Sequence, residues 1–276
     1  RNPSKFLLEK RLSMSISDGS FSLDDCEPLE LSELEKYTLR KSHAECLLAG
    51  RDPGFSCRLM RMSGLLPHGA KGDVIFSRIH RETEEFVRSV RARVQEAGPI
   101  RRVVDLRLGR FNLTGSLSVY PPGRVVHHRP VRKKARDLLE GWIEHLVLCS
   151  MPKDAGHGGC CIFRDGVVEF MPVENSPMIL ETLLEYYWEG ISRPLPFFPE
   201  TSREYALPGS KKERSREERL QKAREKWFGS YKRPGEAEDL AYRICFPGLD
   251  PLGPEFEEVS LDIFEPLIHH ERSSKP

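Results

Sequence analysis

Residues 115–149, GSLSVYPPGRVVHHRPVRKKARDLLEGWIEHLVLC, decide the fold class. Pro121-Pro122-Gly123 is a turn signal between the extended run ending at Tyr120 and the short apolar run Arg124 to His128. The spacing predicts a β-hairpin that feeds a helix. Ala135, Leu138, Leu139, Trp142, Ile143, Leu146 and Val147 recur at three- and four-residue steps and share one stripe, which must be buried. Lys133, Lys134, Arg136, Asp137, Glu140 and Glu144 are expected on the opposite face. Pro130 stands just ahead of the helix, and basic residues are expected in its first turn, where the macrodipole favours anions. Such cations meet either solvent or phosphate.

Working outward, Val103 to Leu108 and Leu113 to Tyr120 have strand length and composition, while Cys160 to Arg164 and Val167 to Pro172 flank the hairpin signal Asp165-Gly166. Met178 to Gly190 reads as a helix covering the sheet. Alternating strands and helices argue for a mixed α/β core. Towards the N-terminus, residues 1–13 read as a short amphipathic helix, followed by an acidic, Ser-rich connector through Glu30. Leu31 to Ala49 has helical periodicity with Ser32 and Glu35 as a capping box and Gly50 as a stop; a Gly- and Pro-rich loop and a long or broken helix within 72–97 follow. Towards the C-terminus, Leu195 to Pro199 is extended, 210–227 is a highly charged helix, and 239–246 reads as a strand or extended segment. Leu261 to Leu267 reads as a short helix or extended segment limited by Pro266, with His269-His270 as a solvated tail. A helix-rich part, 1–98, is expected to pack on an α/β core, 99–276, in one compact unit.

The 276 residues, 38% hydrophobic and 31% charged, suit a globular protein, and no apolar run approaches the ~20 residues that span a bilayer. A cytoplasmic location is expected. Formal net charge is only +1, so contact with nucleic acid requires local patches. The seven cysteines form no CxxC pair, which disfavours a zinc ribbon and a disulfide framework alike. His157, Cys160 and Cys161 make a poor metal site, because adjacent residues of a strand point to opposite faces. No GxxxxGK[ST] phosphate loop is present. The opening at Arg1 suggests a piece of a longer chain.

An ordered set of phrases carries a resemblance over nearly the whole length: NPSKFLLEKRL, EPLELSELEKYTLRKSHAECLLAG, GLLPHGAKGDVIF, VVHHRPVRKKARDLLEGWIEHLVL, LPFFPETS, LQKAREKWFGS and AYRICFPGLDPL. The chain resembles the C-terminal part of the exodeoxyribonuclease V gamma-subunit (RecC) family. The resemblance implies a PD-(D/E)XK restriction-endonuclease-like mixed sheet with flanking helices and a degenerate active site. Active relatives of that fold carry a Gly-x-x-Asp and then an acid-x-Lys phrase; Ser118 takes the first acid position, and His127, His128 and Arg129 take the triplet. A Ser and a neutral His bring no negative charge to Mg²⁺, a hard cation that needs oxygen ligands. No metal or other cofactor is therefore expected.

The same resemblance implies a non-catalytic scaffold and DNA-handling role within a RecBCD-type helicase-nuclease complex that serves double-strand break repair and recombination. Its partners would be a beta (RecB-like) subunit, an alpha (RecD-like) subunit, and DNA in the assembled complex; no membrane is implied. Arg129, Arg132, Lys133 and Lys134 are the candidate phosphate contacts. Phe197, Phe198 and Trp227 are candidate partner contacts if exposed, and core residues otherwise. Two rivals stand beside this reading: a Mg²⁺ nuclease with acids relocated to Asp105, Glu169, Glu84 or Glu85, and an autonomous basic DNA-binding module built on Lys133, Lys134, Arg136 and the 211–226 helix.

Overall fold

The structure, a computed structural model, describes residues 2–16, 31–94, 98–152, 158–209, 214–231, 233–248 and 250–274. The expected Ser-rich connector, Cys26, His157, Lys211 and Lys212 lie largely or wholly outside the described residues.

A four-stranded sheet forms the centre, in the order β3 (Arg124–His128), β4 (Gly158–Phe163), β5 (Gly166–Phe170) and β8 (Glu271–Ser274). β3 runs parallel to β4 and the other pairs are antiparallel. The parallel pair needs a crossover, and helix α5 (Ala135–Ser150) supplies it. Period-two alternation then separates two buried faces. Val125, Cys161, Phe163, Val168 and Phe170 join α5, α6 (Ser176–Gly190) and α10 (Pro254–His270) in one core. Val126, Cys160, Ile162 and Val167 instead pack on α2 (Glu33–Leu48) and α4 (Ala70–Arg91). Cys160 and Cys161 thus point into different cores, as strand geometry requires.

The capping box of α2 is present, with Ser32 Oγ accepting from Glu35 N at 3.2 Å and the Glu35 carboxylate accepting from Ser32 N at 2.7 Å. Between α2 and α4, where a loop was expected, lies α3 (Pro53–Met62), started by Asp52 as N-cap and Pro53 in the first turn. The 1–13 helix splits into α1 (Pro3–Phe6) and a wider π-type turn, Leu7–Arg11.

The expected hairpin across 115–128 does not form as a ladder. β1 (Ile100–Leu108) and β2 (Phe111–Val119) pair with each other in a separate antiparallel sheet, and β2 meets β3 at the single bridge Tyr120–Arg124. β2 ladders with β1 on one edge and β3 with β4 on one edge.

In α5 the stripe is buried around Trp142, but Ile143 is 39% exposed and Asp137 only 2%, reversing the expectation for both. The basic run 132–134 precedes the helix and does not fill its first turn. Lys134 offers no side-chain cap; the Glu200 carboxylate, 65 residues away, accepts from Ala135 N at 2.8 Å. Glu200 opens α7 (Pro199–Ala206), whose own first N–H groups donate to Glu236 at 3.2 and 2.8 Å. This relay of carboxylates answers the positive ends of two helices.

The C-terminal third departs most from expectation. α8 (Arg216–Phe228) is the charged helix, followed by the two-residue strands β6 (Gly229–Ser230) and β7 (Arg233–Pro234). Residues 240–245, expected to be extended, form helix α9 (Leu240–Cys245), because the Asp239 carboxylate accepts from Ala241 N and Tyr242 N. α10 continues through Pro266. An interior proline costs about 3 kcal/mol, whereas burying Phe256, Val259, Ile263, Phe264 and Leu267 contributes about 1.5–3 kcal/mol each. Burial wins. His270 is therefore no solvated tail: it ends α10 with Nδ1 2.7 Å from Pro266 O and its ring beside Trp142.

Candidate nucleic-acid interface

The end of β3 divides the candidate residues between two sites. Ser118 from β2 and His127 from β3 border one pocket of about 320 Å³ together with His128 and Glu144. His127 Nδ1 lies 3.5 Å from the Glu144 carboxylate on α5. Burial, and next the neighbouring His127, hold the His128 imidazole below its ordinary range. Gly141 faces His127 from α5; a Cβ there would collide with Cys161 Sγ, so only glycine lets the helix approach this closely. Arg129 does not join this pocket. Its guanidinium pairs with the buried Asp137 of α5 and donates to Tyr37 Oη at 3.0 Å.

Arg129, Arg132 and Lys134 line a second, larger cleft of about 900 Å³ between α2, α4 and the β3–α5 connection. Its walls carry eight cations and three carboxylates, in a chain whose net charge is +1. Lys133 is exposed beside it, its backbone N–H donating to Asp165 at 2.8 Å. Arg40, Arg78 and Arg164 add to the positive lining. They come from three distant segments, and no local motif marks them. A neighbouring cleft of about 1170 Å³ shares Lys134 and Arg136 but sets six cations against five carboxylates. The α8 lysines Lys222 and Lys226 belong to that balanced surface.

Phe197, Phe198 and Trp227 are buried, which removes them as partner contacts. The Phe198 ring centre lies 4.2 Å from Trp227 in a tilted contact and 4.8 Å from Tyr242 edge to face, in an aromatic core with Phe256. Among the described residues the exposed aromatics lie elsewhere, at Phe6, Phe55, Tyr187, Trp188, Phe228 and Tyr231. The acids of the relocated-site rival do not converge: Asp105 sits on the separate β1–β2 ladder, and Glu169 on β5 pairs with Arg93 at 3.7 Å.

These features define a mixed α/β protein with a strongly cationic cleft; among the described residues no group of three or more His, Cys, Asp or Glu is placed to hold a metal ion, and no helix is long and apolar enough to cross a membrane. The chain belongs to the RecC C-terminal domain family, whose pattern matches residues 1–209. It is 26% identical over 262 residues to the RecBCD enzyme subunit RecC of Escherichia coli, covering 91% of this chain and 23% of that protein. The RecBCD enzyme subunit RecC of Buchnera aphidicola is 19% identical over 281 residues, covering 99% of this chain and 26% of the relative. That of Haemophilus influenzae is 25% identical over 187 residues, covering 63% and 16%. The chain spans about a quarter of the length of the first two relatives.

Proposed function

We propose that this chain is a non-catalytic scaffold and DNA-handling part of a RecBCD-type exodeoxyribonuclease V complex, acting in double-strand break repair and recombination in the bacterial cytoplasm. The observation that carries the non-catalytic reading is the chemistry at three positions. Where a PD-(D/E)XK nuclease would hold its metal ligands and lysine, this chain has Ser118, His127 and Arg129, the last paired with Asp137. The parallel β3–β4 pair with its α5 crossover, flanked by helices on both faces, supports a degenerate nuclease-like fold of this kind. The helix-rich segment 1–98 would pack on the 99–276 core as part of one unit.

The partners in this reading are beta (RecB-like) and alpha (RecD-like) subunits, since the relatives are named as subunits of the RecBCD enzyme. Exposed Arg132, Lys133 and Lys134 offer phosphate contacts, while Arg129 is held inward by Asp137 and Tyr37. Two measurements test the proposal. Purified chain is incubated with labelled single- and double-stranded DNA and Mg²⁺ or Mn²⁺, and the expected result is no cleavage. Cleavage that persists through repurification and disappears in Asp105→Ala would establish the relocated-acid nuclease instead. Co-expression with tagged beta and alpha subunits is expected to recover the chain in a stoichiometric complex, and its absence from that complex would reject the scaffold role.

A further inference from the structure

The cleft between α2, α4 and the β3–α5 connection holds more positive charge than its own carboxylates neutralise. Glu82 alone serves three guanidinia: Arg164 at 2.9 Å, Arg78 at 3.3 Å and Arg40 at 3.7 Å. Glu33, the second acid near Arg40, lies 3.8 Å away and is already held by Lys36 at 3.0 Å. Arg40 sits deepest, its side chain 11% exposed and its Nε without a hydrogen-bond partner. Burial, followed by repulsion from Arg164, pulls its guanidinium below the ordinary range. A second cationic group gathers at Asp137, which serves Arg129 directly and Arg136 at 3.7 Å. Tyr37 stands with them, its ring 5.9 Å from the Arg129 guanidinium.

We propose that this cleft is a binding site for the phosphodiester backbone of single-stranded nucleic acid, with Arg40, Arg78 and Arg164 as one phosphate station and Arg132 with Lys134 as the next. Two cationic clusters with an aromatic wall suit a polymer that alternates anions with flat rings. A duplex is a poor occupant, because its phosphates lie on a broad convex surface and would meet the exposed Arg78, Arg132, Lys134 and Arg136 but not the floor of the cleft. The recessed Arg40, Arg129 and Arg164 need a strand that enters the cleft. An acidic peptide supplies carboxylates without the ring system. The inference deepens the DNA-handling reading and rests on it.

The test is fluorescence anisotropy of a labelled oligothymidylate with the full chain, over a salt series. Arg78→Glu combined with Arg132→Glu changes two exposed side chains, so the fold, checked by circular dichroism and thermal melting, is expected to be retained. Binding should weaken about tenfold or more, and the log–log salt slope should flatten by about 1.4, since each single-strand phosphate contact contributes about 0.7. Arg164→Gln, a milder change at the floor, should weaken binding in the same direction. Lys222→Glu with Lys226→Glu on α8 should leave it unchanged. Binding that survives the cleft variants but fails in the α8 variant would overturn the site and leave DNA handling to the other surface. Equal competition by polyglutamate, or tighter binding of a matched duplex, would also overturn it. Absence of oligothymidylate binding while the chain still assembles with the beta and alpha subunits would reject the cleft and leave the scaffold role standing.

Discussion

His127 and Arg129 are two residues apart, and both turn towards α5, yet they belong to different surfaces. His127 meets Glu144 across 3.5 Å beside a small pocket, and Arg129 meets Asp137, two helical turns earlier, at the edge of a cleft almost three times larger. In the first site, charge is local and paired. In the second, arginines from α4, α2 and the β4–β5 turn converge on Glu82, so charge accumulates beyond what the acids answer. The His127–Glu144 pair is set by one strand and the helix that follows it, whereas the cationic cleft draws on segments far apart in the chain.

Five variants would break or sharpen that contrast. Trp142→Ala removes the side chain at the centre of the core beneath both surfaces and is expected to cost about 3–5 kcal/mol in urea-induced unfolding. A loss under 1 kcal/mol would mean that the two surfaces do not depend on a common packed helix. Asp137→Ala should cost about 2–3 kcal/mol, because it leaves a quarter-exposed Arg129 without its buried partner. Glu144→Ala, at a more exposed and looser pair, should stay within about 0.5 kcal/mol. Equal costs for the two would erase the distinction drawn between the sites.

Glu200→Ala deletes the long-range cap of α5 and should lower stability by about 1 kcal/mol, with a matching loss of amide protection at Ala135 in hydrogen exchange. Unchanged exchange would show that water serves that N–H equally well. A pH-dependent effect concerns the helical layer behind the cleft, where His43 bonds Ser56 and His80, each at 2.9 Å. Burial, then His80, lowers His43 to about 4 from its ordinary 6.5. The unfolded chain takes up this proton first, so the stabilisation is complete above pH 6.5 and is lost as pH falls towards 4, by about 1 kcal/mol at pH 5. In His43→Gln that part of the pH slope should vanish; an unaltered slope would assign it to other groups.

The strand–helix–strand centre was legible because period-two and 3.6-residue patterns report burial directly, as in Val125/Val126 and the Trp142 stripe. The losses have identifiable causes. Aromatic and β-branched content made 240–245 look extended, while the decisive term was a single N-cap, Asp239. Pro266 argued against a helix that tertiary burial sustains. Phe197, Phe198 and Trp227 were ambiguous between surface and core; Phe198 and Trp227 pack inside with Tyr242 and Phe256, and Phe197 packs on Phe264 in the main core. Of the site, Arg132, Lys133 and Lys134 could be found as a charge run. Arg40, Arg78 and Arg164 could not, because solvated arginines and convergent ones look alike until the chain is folded.

The carboxylate relay, in which Glu236 holds α7 and Glu200 of α7 holds the start of α5, bears on the order in which the molecule is made. During synthesis the residues that form α5 leave the ribosome about 65 positions before Glu200 and about 100 before Glu236. The rim of the cationic cleft therefore acquires its final anchorage only after most of the chain has emerged. A nascent chain halted near residue 209, where the family match ends, would carry Glu200 but not the acid that fixes it. The start of α5 thus draws its cap from a residue far along the chain, and that residue is itself held by one still further on.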